Sequence, residues 1–414
     1  MLLSALTSTA ALDNGLSLTP PMGYNSWYDT TCADVMDANY FRLTADLLLI
    51  HGLDRLGYRY VNLDGCFLAP GPGGRVNGTL QPDPRHFGGT EGIKALAKYL
   101  HDRGLLLGIY TDRGSKTCQG RAGSRYFEAH DAKTYADWGA DYVKEDSCNA
   151  YGDPKHAFEE YGLMRDGLNA TGRRILFAAC GWHEWYAPPN PALNYSGGAS
   201  LANVARIGPD NESWKDILIN AGIMSRLAPY ARPGYWNDPC LLLSVDWRGT
   251  LRVSELQSRA QFALWCVLSA PLLISGSLEL MSEYTLATYT NAQAIAINQR
   301  TPKQGIRLAG DDIAPCASHK APGPNCTNVW GKQLTETSWA LFLMNAGSAP
   351  FDVACDAACL GAMNVTEKLL PLQVTEVWGG AEPRVVTQLN VVARALPAEG
   401  GHVLLVLNQT SWTW

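Results

Sequence analysis

The sequence predicts an α/β fold: a (β/α)8 TIM barrel followed by a C-terminal antiparallel β-sandwich domain. Its 414 residues suit one large and one small domain better than a single core. Eight short apolar segments alternate with helix-like segments over roughly the first two thirds of the chain, as in consecutive βα units. After about residue 300 the hydrophobic pattern changes to a period of two, which is typical of antiparallel strands.

The predicted barrel strands are apolar or β-branched, and each ends in polar residues. They cover 22–27, 58–65, 105–112, 141–147, 174–181, 204–210, 234–240 and 271–276. Helix-like segments occupy most of the intervals, such as 89–104, 132–140, 157–172 and 254–270. A doubly wound open sheet is the alternative, but it needs an early glycine-rich phosphate-binding turn. The segment MGYNSW at the first predicted strand is not such a turn.

The C-terminal domain is predicted from two alternating segments, NVWGKQLTETSWALFLMNAG and GHVLLVLNQTSWTW. Gly and Pro turns and few helical runs accompany them, which favours a small β-sandwich. The boundary is expected near 302–306, at TPKQG. This division gives a catalytic barrel over 13–304 and a β domain over 305–414.

Composition narrows the class of protein. The chain is 46% hydrophobic and 17% charged, with a formal net charge of -6. It has no basic block that would indicate nucleic acid, no cationic helix that would indicate a membrane surface, and no stretch long enough to span a membrane. The N-terminal MLLSALTSTAALDNG has a short apolar run that ends in small residues but lacks a charged start. Residues 1–12 are therefore predicted to be a signal-peptide remnant, with cleavage after Ala11.

Sequons and cysteines indicate the secretory pathway. Asn-x-Ser/Thr sequons occur at Asn77, Asn169, Asn194, Asn211, Asn325, Asn364 and Asn408, which predicts a glycoprotein. The 11 cysteines include closely spaced ones such as Cys316 and Cys326. Without a zinc-type spacing, disulfides in an oxidising compartment are the better interpretation. We expect a secreted or lysosomal/vacuolar protein in which the odd cysteine is free or pairs between chains.

The candidate catalytic residues lie at the predicted strand ends, because a barrel of this kind carries its active site at the C-terminal ends of its strands. A single strand-end aspartate is more often a helix cap or a turn residue. Five carboxylates at one end, together with Lys, Arg and Trp, favour a catalytic site. The strand-end set is Trp27, Asp64, Tyr110, Asp112, Lys144, Asp146, Trp182, Arg206, Asp210, Trp236 and Asp238.

The segment ADYVKEDSCNA places two carboxylates side by side. Since side chains alternate along a strand, Lys144 and Asp146 share one face and Glu145 takes the other. With the first pair directed into the barrel, Asp146 is the chemical carboxylate, and Lys144 is expected to lower its pKa and keep it ionised. Glu145 then faces the helices and needs a partner there, unless it is solvated at the strand end.

A catalytic carboxylate such as Asp146 often works with a second one. Glycoside hydrolysis is an example, because one carboxylate attacks or activates water while the other protonates the leaving oxygen. Asp210 offers the second carboxylate, four residues after Arg206 in a loop with Pro209. Histidine is scarce at the strand ends, where His183 is the only one nearby. That scarcity disfavours a Ser-His-Asp triad and a histidine-rich metal site. We expect neither a metal nor a cofactor.

Several segments together resemble the family 27 glycoside hydrolases, the α-galactosidases and α-N-acetylgalactosaminidases. The resemblance implies a (β/α)8 barrel with a C-terminal antiparallel β domain and a retaining double displacement without a cofactor. It implies that Asp146 is the nucleophile and Asp210 the acid/base. The segments that carry it are NGLSLTPPMGYNSWYDTTC, YVNLDGCF, LGIYTDRGSKTCQG, YADWGADYVKEDSC, YWNDPCLLL and AINQ, which run in order from residue 14 to about 305.

The same resemblance implies further roles. Sugar-binding positions match Trp27, Asp64, Tyr110 and Lys144, and an arginine of the family matches Arg206. Family disulfides match Cys32–Cys66, Cys118–Cys148 and Cys355–Cys359, and we add Cys316–Cys326 from spacing alone. The complete predicted substrate-binding set is Trp27, Asp64, Tyr110, Lys144, Gly181, Trp182, Arg206 and Cys240.

Four positions depart from the family pattern. Gly65 replaces the second of two adjacent aspartates that hold the galactose hydroxyls at carbons 4 and 6, a loss of about 1.5 to 3 kcal/mol of binding. Glu145 replaces an aromatic residue before the nucleophile, and Cys240 replaces an aspartate. Gly181 replaces a glutamate near the 2-hydroxyl, and its small size is expected to leave room beside carbon 2.

These departures leave alternatives open. We expect an exo-acting enzyme that releases terminal α-linked galactose from oligosaccharides or glycoconjugates, as a monomer or homodimer. An α-N-acetylgalactosaminide or a β-L-arabinopyranoside is the alternative substrate. A non-catalytic carbohydrate-binding relative and a metal-dependent barrel enzyme are alternative classes.

Three cysteines have no partner in the family pattern, so either a Cys180–Cys240 bond or free thiols are expected. They are Cys180, Cys240 and Cys266.

Overall fold

The computed structural model describes residues 14–300, 303–310, 327–380 and 382–410. The predicted signal-peptide remnant and the predicted Cys316–Cys326 pair lie outside these residues. The strands are β1 Met22–Asn25, β2 Tyr60–Asn62, β3 Arg75–Val76, β4 Thr79–Leu80, β5 Leu106–Asp112, β6 Tyr142–Asp146, β7 Leu176–Cys180, β8 Val204–Arg206, β9 Trp236–Asp238, β10 Leu242–Leu243, β11 Leu272–Ser275, β12 Ile306–Gly310, β13 Thr327–Thr335, β14 Ser338–Asn345, β15 Phe351–Cys355, β16 Leu372–Glu376, β17 Arg384–Val386, β18 Val391–Leu396 and β19 Gly401–Gln409.

A nine-stranded parallel sheet forms the barrel, in the order β10-β11-β1-β2-β5-β6-β7-β8-β9. Each of the eight predicted barrel segments contains one of these strands, so the (β/α)8 prediction is confirmed. The short strand β10 follows β9 in the chain and pairs with β11, so the two ends of the sheet order are consecutive in sequence. The small β3–β4 hairpin is an addition that hydrophobic periodicity did not predict.

The helices are α1 Trp27–Thr30, α2 Ala38–Ile50, α3 Pro84–Phe87, α4 Gly89–His101, α5 Glu128–Trp138, α6 Pro154–Ala170, α7 Trp214–Leu227, α8 Glu255–Val267, α9 Glu283–Tyr289, α10 Ala292–Gln299 and α11 Ala357–Gly361. Side-chain caps fix several starts. Asp153 caps α6, whose first residue is Pro154, and Ser254 forms a capping box with Gln257 at α8. The four helical segments named from the sequence correspond to α4, α5, α6 and α8.

The C-terminal part is an antiparallel β-sandwich, as predicted. A six-stranded sheet has the order β12-β13-β14-β19-β16-β17, and β15 pairs with β18 in a second sheet. Their facing side chains form a separate apolar core that includes Val329, Trp339 and Leu341. The barrel helices end at Gln299 and β12 begins at Ile306; the division at 304/305 stays a prediction.

Lys332 joins the two parts from β13. Its side chain is 3% exposed, and its Nζ donates to Ser269 Oγ at 2.5 Å and to the Ile297 carbonyl at 2.6 Å. Burial lowers the pKa of Lys332 to about 7, because an apolar surrounding disfavours the charged form. Among the described residues, the side-chain nitrogen bonds to a hydroxyl and to backbone carbonyls, none of which carries a charge that would offset the cost of protonating it.

Cysteine pairing follows the resemblance. Cys32–Cys66, Cys118–Cys148 and Cys355–Cys359 are disulfides, which suggests an extracellular or secretory-pathway protein. The three remaining cysteines of the described chain, Cys180, Cys240 and Cys266, are buried free thiols. The Cys180–Cys240 bond therefore does not form. No helix among the described residues has the length and apolar character needed to cross a membrane.

One predicted sequon is unsuited to glycosylation. The Asn211 side chain is fully buried, and its amide nitrogen donates to the Pro239 and Leu241 carbonyls at 3.2 and 3.3 Å. Asn220 donates in turn to the Asn211 carbonyl oxygen at 2.8 Å. A glycan on this nitrogen would break a buried network. Occupancy of the other sequons stays a prediction.

Candidate active site

Strand register brings the predicted residues to one level of the barrel mouth, by which we mean the C-terminal ends of the barrel strands. Asp112 is the register partner of Asp146, and Cys180 is the partner of Arg206. Arg206 is in turn the partner of Asp238. Parallel pairing keeps such partners side by side, so strands β5 to β9 place three carboxylates and a guanidinium around the mouth.

Asp64 and Lys144 form an ion pair on one side of the mouth. Lys144 Nζ lies 2.8 Å from Asp64 Oδ2, and Asn25 donates to the same oxygen at 2.9 Å. The Ser26 hydroxyl accepts from the Asp64 backbone N–H at 3.0 Å. Burial lowers the pKa of Lys144, but Asp64 and other negative neighbours raise it by more, so its net pKa is raised. This pair fixes a carboxylate close enough to Asp146 to affect its pKa.

Asp146 lies at the end of β6 and is 5% exposed. The Tyr110 hydroxyl donates to its Oδ2 at 2.9 Å, and the Ser147 backbone N–H donates to Oδ1 at 3.0 Å. Both donors favour the ionised form and hold the carboxylate in one orientation. The sulfur of Cys118, in its disulfide with Cys148, lies 3.5 Å from Oδ2.

The expected effect of Lys144 on Asp146 is only partly correct. Burial raises the pKa of Asp146, Lys144 lowers it, and the charges of Asp210 and Asp64 raise it again. The net direction is upward, so the predicted net lowering is wrong. The Lys144 ammonium bonds directly to Asp64 and not to Asp146. Burial of Asp146 therefore raises its pKa by more than the charge of Lys144 lowers it.

Asp210 occupies the other side of the mouth. Arg206 is 2% exposed and donates from Nη1 to Asp210 Oδ1 at 2.7 Å. Its Nε lies 3.7 Å from Asp238 Oδ2. The Asp210 side chain keeps 41% of its surface exposed. The two candidate catalytic carboxylates thus differ in exposure: Asp146 is buried, whereas solvent reaches Asp210. The charge of Asp210 contributes to raising the pKa of Asp146.

Glu145 points away from the mouth, as alternation predicts, but the expected partner is missing. The side chain is fully buried, and neither carboxyl oxygen has a hydrogen-bond partner among the described residues. Burial raises the pKa of Glu145 well above its usual range; the charges of Glu128 and Asp112 raise it further, and Arg113 lowers it. Burial therefore favours the protonated form, which avoids a buried unpaired charge but leaves both carboxyl oxygens without a hydrogen bond among the described residues.

Gly181 does not leave the expected room. A Cβ at this position would lie 2.0 Å from Tyr186 Cε2 and 2.1 Å from its hydroxyl, and Tyr186 is fully buried. The aromatic ring therefore fills the space that a side chain at 181 would enter. The expectation of open space where a side chain at 181 would lie is wrong, because a residue from the following turn packs onto the glycine.

Trp182 and Trp27 flank the mouth. Trp182 follows Gly181 with a backbone φ of +60°, which is strained for a bulky residue. Its indole N–H is enclosed and has no partner among the described residues. Trp27 begins α1 directly after β1, is half-buried, and donates from its backbone N–H to Asn25 Oδ1 at 2.9 Å.

Two further predicted residues are buried. Cys240 is 1% exposed, and its Sγ accepts from the Asn211 backbone N–H at 3.4 Å, so it supports the loop that carries Asp210; its role in substrate binding stays a prediction. Burial raises the pKa of Cys240 to about 11. Trp236 is fully buried and donates to the Ser17 carbonyl at 2.8 Å. Because Ser17 precedes β1, this indole is directed toward the opposite end of the barrel.

Asp112 has a structural role that the sequence did not assign. It is fully buried; its Oδ1 accepts from the Gly114 backbone N–H at 2.6 Å and its Oδ2 from that of Cys148 at 2.8 Å. Burial and then the charge of Asp146 raise the pKa of Asp112 to about 7. The sequence signal that could have indicated this role was the position of Asp112 two residues after Tyr110, on the same face of the strand.

A metal site formed by Asp112 and Asp146 with the nearby Cys118–Cys148 pair is disfavoured, since those sulfurs are bonded to each other.

Comparison with known proteins identifies relatives of this arrangement. A family model described as Alpha galactosidase A matches residues 19–300. An alpha-galactosidase of Oryza sativa subsp. japonica is 36% identical over 340 residues, covering 82% of this chain and 74% of that protein. The alpha-N-acetylgalactosaminidase of Homo sapiens is 38% identical over 314 residues, 72% of this chain and 73% of that protein. The crystal structure of alpha-galactosidase I from Mortierella vinacea has a TM-score of 0.80 at 26% identity and covers 97% of this chain and 100% of that one.

Proposed function

The chain belongs to glycoside hydrolase family 27 and is a glycosidase, and from this premise we propose that it releases terminal α-linked galactose from oligosaccharides or glycoconjugates. The reaction is a retaining double displacement that uses two carboxylates. The observation that carries the proposal is the pairing of buried, tyrosine-bonded Asp146 with solvent-reached Asp210 across one barrel mouth.

In the first step Asp146 attacks the anomeric carbon while Asp210 gives its proton to the leaving glycosidic oxygen. A covalent galactosyl ester forms on Asp146 as the bond to the aglycone breaks. In the second step Asp210 takes a proton from water, whose oxygen attacks the same carbon and releases Asp146 as a carboxylate. Exposure of Asp210 suits this exchange with water, and burial of Asp146 protects the ester from stray hydrolysis.

Neighbouring groups prepare these two carboxylates. The hydrogen bonds from Tyr110 and the Ser147 backbone orient Asp146 before substrate arrives. Arg206 holds Asp210 on the leaving-group side. Asp64, fixed by Lys144, accepts hydrogen bonds from hydroxyl groups of the sugar. Trp27 offers an apolar surface to the ring.

Galactose is preferred over N-acetylgalactosamine in this proposal. The human relative named alpha-N-acetylgalactosaminidase shows that the family includes the second specificity. However, the space next to Gly181 is filled by Tyr186, so the argument for an acetamido pocket at this point is removed. The three disulfides support the finer proposal that the enzyme is secreted or delivered to a lysosome or vacuole.

The test is hydrolysis of 4-nitrophenyl α-galactoside by the wild type and by Asp146→Ala, with NMR detection of the first product. The proposal expects α-galactose from the wild type. It also expects loss of turnover in the variant and rescue by azide with formation of β-galactosyl azide. First release of β-galactose, or full activity in Asp146→Ala, would contradict the assigned mechanism. Faster hydrolysis of the α-N-acetylgalactosaminide would contradict the assigned sugar.

A further inference from the structure

The loop that carries Asp210 is held on both sides of that residue by one buried side chain. Asn220 lies on α7 and is fully buried. Its amide nitrogen donates to the Pro209 carbonyl at 2.8 Å and to Asn211 Oδ1 at 2.8 Å. Pro209 and Asn211 are the residues directly before and after Asp210. A single side chain of the helix that follows the loop therefore fixes both neighbours of the proposed general acid.

Asn211 connects this loop to a second part of the barrel. Its amide nitrogen donates to the Pro239 and Leu241 carbonyls at 3.2 and 3.3 Å, which belong to the segment between β9 and β10. That segment is held in turn from α8, where Gln261 donates to the Leu241 carbonyl at 3.0 Å. The Asp210 loop is thus joined to α7 directly and to α8 through the segment 239–241.

Gly208 provides the space that the Asn220 amide occupies. A Cβ at Gly208 would lie 2.1 Å from Asn220 Oδ1 and 2.9 Å from Ile223 Cδ1. No carbon approaches an oxygen to 2.1 Å in a packed interior, so a side chain at position 208 would displace the amide. The glycine two residues before Asp210 and the asparagine on α7 therefore depend on each other.

A fixed backbone matters here because the carboxylate itself is open to solvent. Arg206 donates to Asp210 Oδ1 at 2.7 Å, but 41% of the Asp210 side chain is exposed. A general acid must stay within about 2.6–3.2 Å of the oxygen that it protonates. A misplacement of about 1 Å caused by a change away from the chemistry can cost about 100-fold in rate. The hydrogen bonds to the residues beside Asp210 therefore bear on the protonation step.

We propose that Asn220 is a positioning residue for the proposed general acid, Asp210. It acts through the two residues beside Asp210 and touches neither the substrate nor the reacting atoms. The inference rests on the proposed function and adds a supporting residue to it. Loss of the Asn220 amide should move Asp210 and leave Asp146 in place, because separate donors on β5 and directly after β6 hold Asp146. The defect should therefore be specific to protonation of the leaving group.

The test compares two α-galactosides whose leaving groups differ in their need for a proton. A 4-nitrophenolate leaves with little help from an acid, whereas the methoxide of methyl α-galactoside has to be protonated. Asn220→Leu keeps a similar size without a donor. It should lower kcat/KM for the methyl glycoside about 10- to 100-fold more than for the nitrophenyl glycoside. The ratio of the two kcat/KM values from one preparation does not depend on how much of the enzyme is folded, so a loss of stability alone leaves it unchanged.

Two further variants separate positioning from stability. Gly208→Ala keeps the Asn220 amide but displaces it, so it should change the ratio in the same direction, and it supplies the test if Asn220→Leu does not fold. Asn298→Leu is the matched control. Asn298 is also fully buried, and it donates to the Trp265 and Ala270 carbonyls at 3.1 and 3.0 Å. Its loss should lower the melting temperature without changing the ratio.

The outcomes distinguish this inference from the proposed function. An unchanged ratio in Asn220→Leu or in Gly208→Ala would overturn the inference and leave galactoside hydrolysis intact, and so would an equal change in Asn298→Leu. Asp210→Ala should change the ratio most; a ratio equal to that of the wild type would remove Asp210 as the acid and the inference with it. Failure of the wild type to cleave either glycoside would overturn the proposed function as well.

Discussion

Replacement of Glu145 by Gln tests whether a carboxyl group directly before the proposed nucleophile, Asp146, is neutral in the folded enzyme. Glu145 is fully buried, has no hydrogen-bond partner among the described residues and has a pKa raised first by burial. In the unfolded chain the same group ionises near its ordinary value of 4.5. Gln copies its shape and stays neutral at every pH. The free energy of unfolding of the variant should therefore depart from that of the wild type in the pH range in which the unfolded chain has lost the Glu145 proton and the folded protein still keeps it.

The sign and size follow from linkage. A raised folded pKa stabilises the protein fully below pH 4.5, and this contribution is lost as pH rises toward the folded pKa. Each pH unit in that window costs the wild type about 1.4 kcal/mol that the variant does not lose. Between pH 4.5 and pH 6.5 the stability of Glu145→Gln relative to wild type should therefore increase by up to about 3 kcal/mol.

Urea unfolding of both proteins at pH 4.5, 5.5 and 6.5 measures this difference. The matched control is Glu159→Gln, an exposed residue on α6, whose difference from wild type should not change with pH. A constant or decreasing advantage of Glu145→Gln would refute the reasoning. It would mean that Glu145 is ionised in the folded state, with Arg113 as the available cation.

Three further outcomes are expected. Asp146→Asn should lower kcat by at least about 1,000-fold with an unchanged melting temperature, since it removes the attacking group; ordinary turnover would reject the nucleophile. Lys144→Met should move the acidic limb of the kcat/KM profile to higher pH, because Lys144 lowers the pKa of Asp146; an unmoved limb would contradict this. Lys332→Met should gain stability relative to wild type as pH falls from 10.5 to 7, because burial lowers the Lys332 pKa to about 7 and the unfolded chain therefore binds a proton in this range that the folded protein does not bind. A pH-independent difference in urea midpoints would contradict that assignment.

The barrel was predictable because its signal is local and repeated. A segment such as 141–147 has a short apolar run at Tyr142 and Val143 and ends in polar residues, and the structure contains β6 at Tyr142–Asp146. The Arg206–Asp210 contact was also predictable, since it lies within one short loop. The hairpin at β3–β4 was missed because its strands are two residues each and carry no measurable period.

The electrostatics of the site were less predictable, because burial depends on every element that covers a group. Alternation correctly separated Glu145 from Asp146, but it could not tell that the helix side offers Glu145 no bond. Counting a nearby lysine correctly gave the sign of its own effect on Asp146. It could not give the net pKa, in which burial is the largest contribution.

Both glycines at family-specific positions lead to the same physical conclusion. Absence of a side chain at 65 and 181 indicates open space when the motif is considered alone, yet Gln119 and Tyr186 occupy those volumes. Close packing makes this outcome the expected one, since a protein interior rarely leaves a side-chain-sized void. The proposed catalytic pair depends on local features, the end of β6 for Asp146 and the Arg206–Asp210 contact within one short loop, whereas sugar preference is expected to depend on which distant loop fills each gap. A change of specificity in this enzyme should therefore require substitutions in pairs, the glycine together with the residue that covers it.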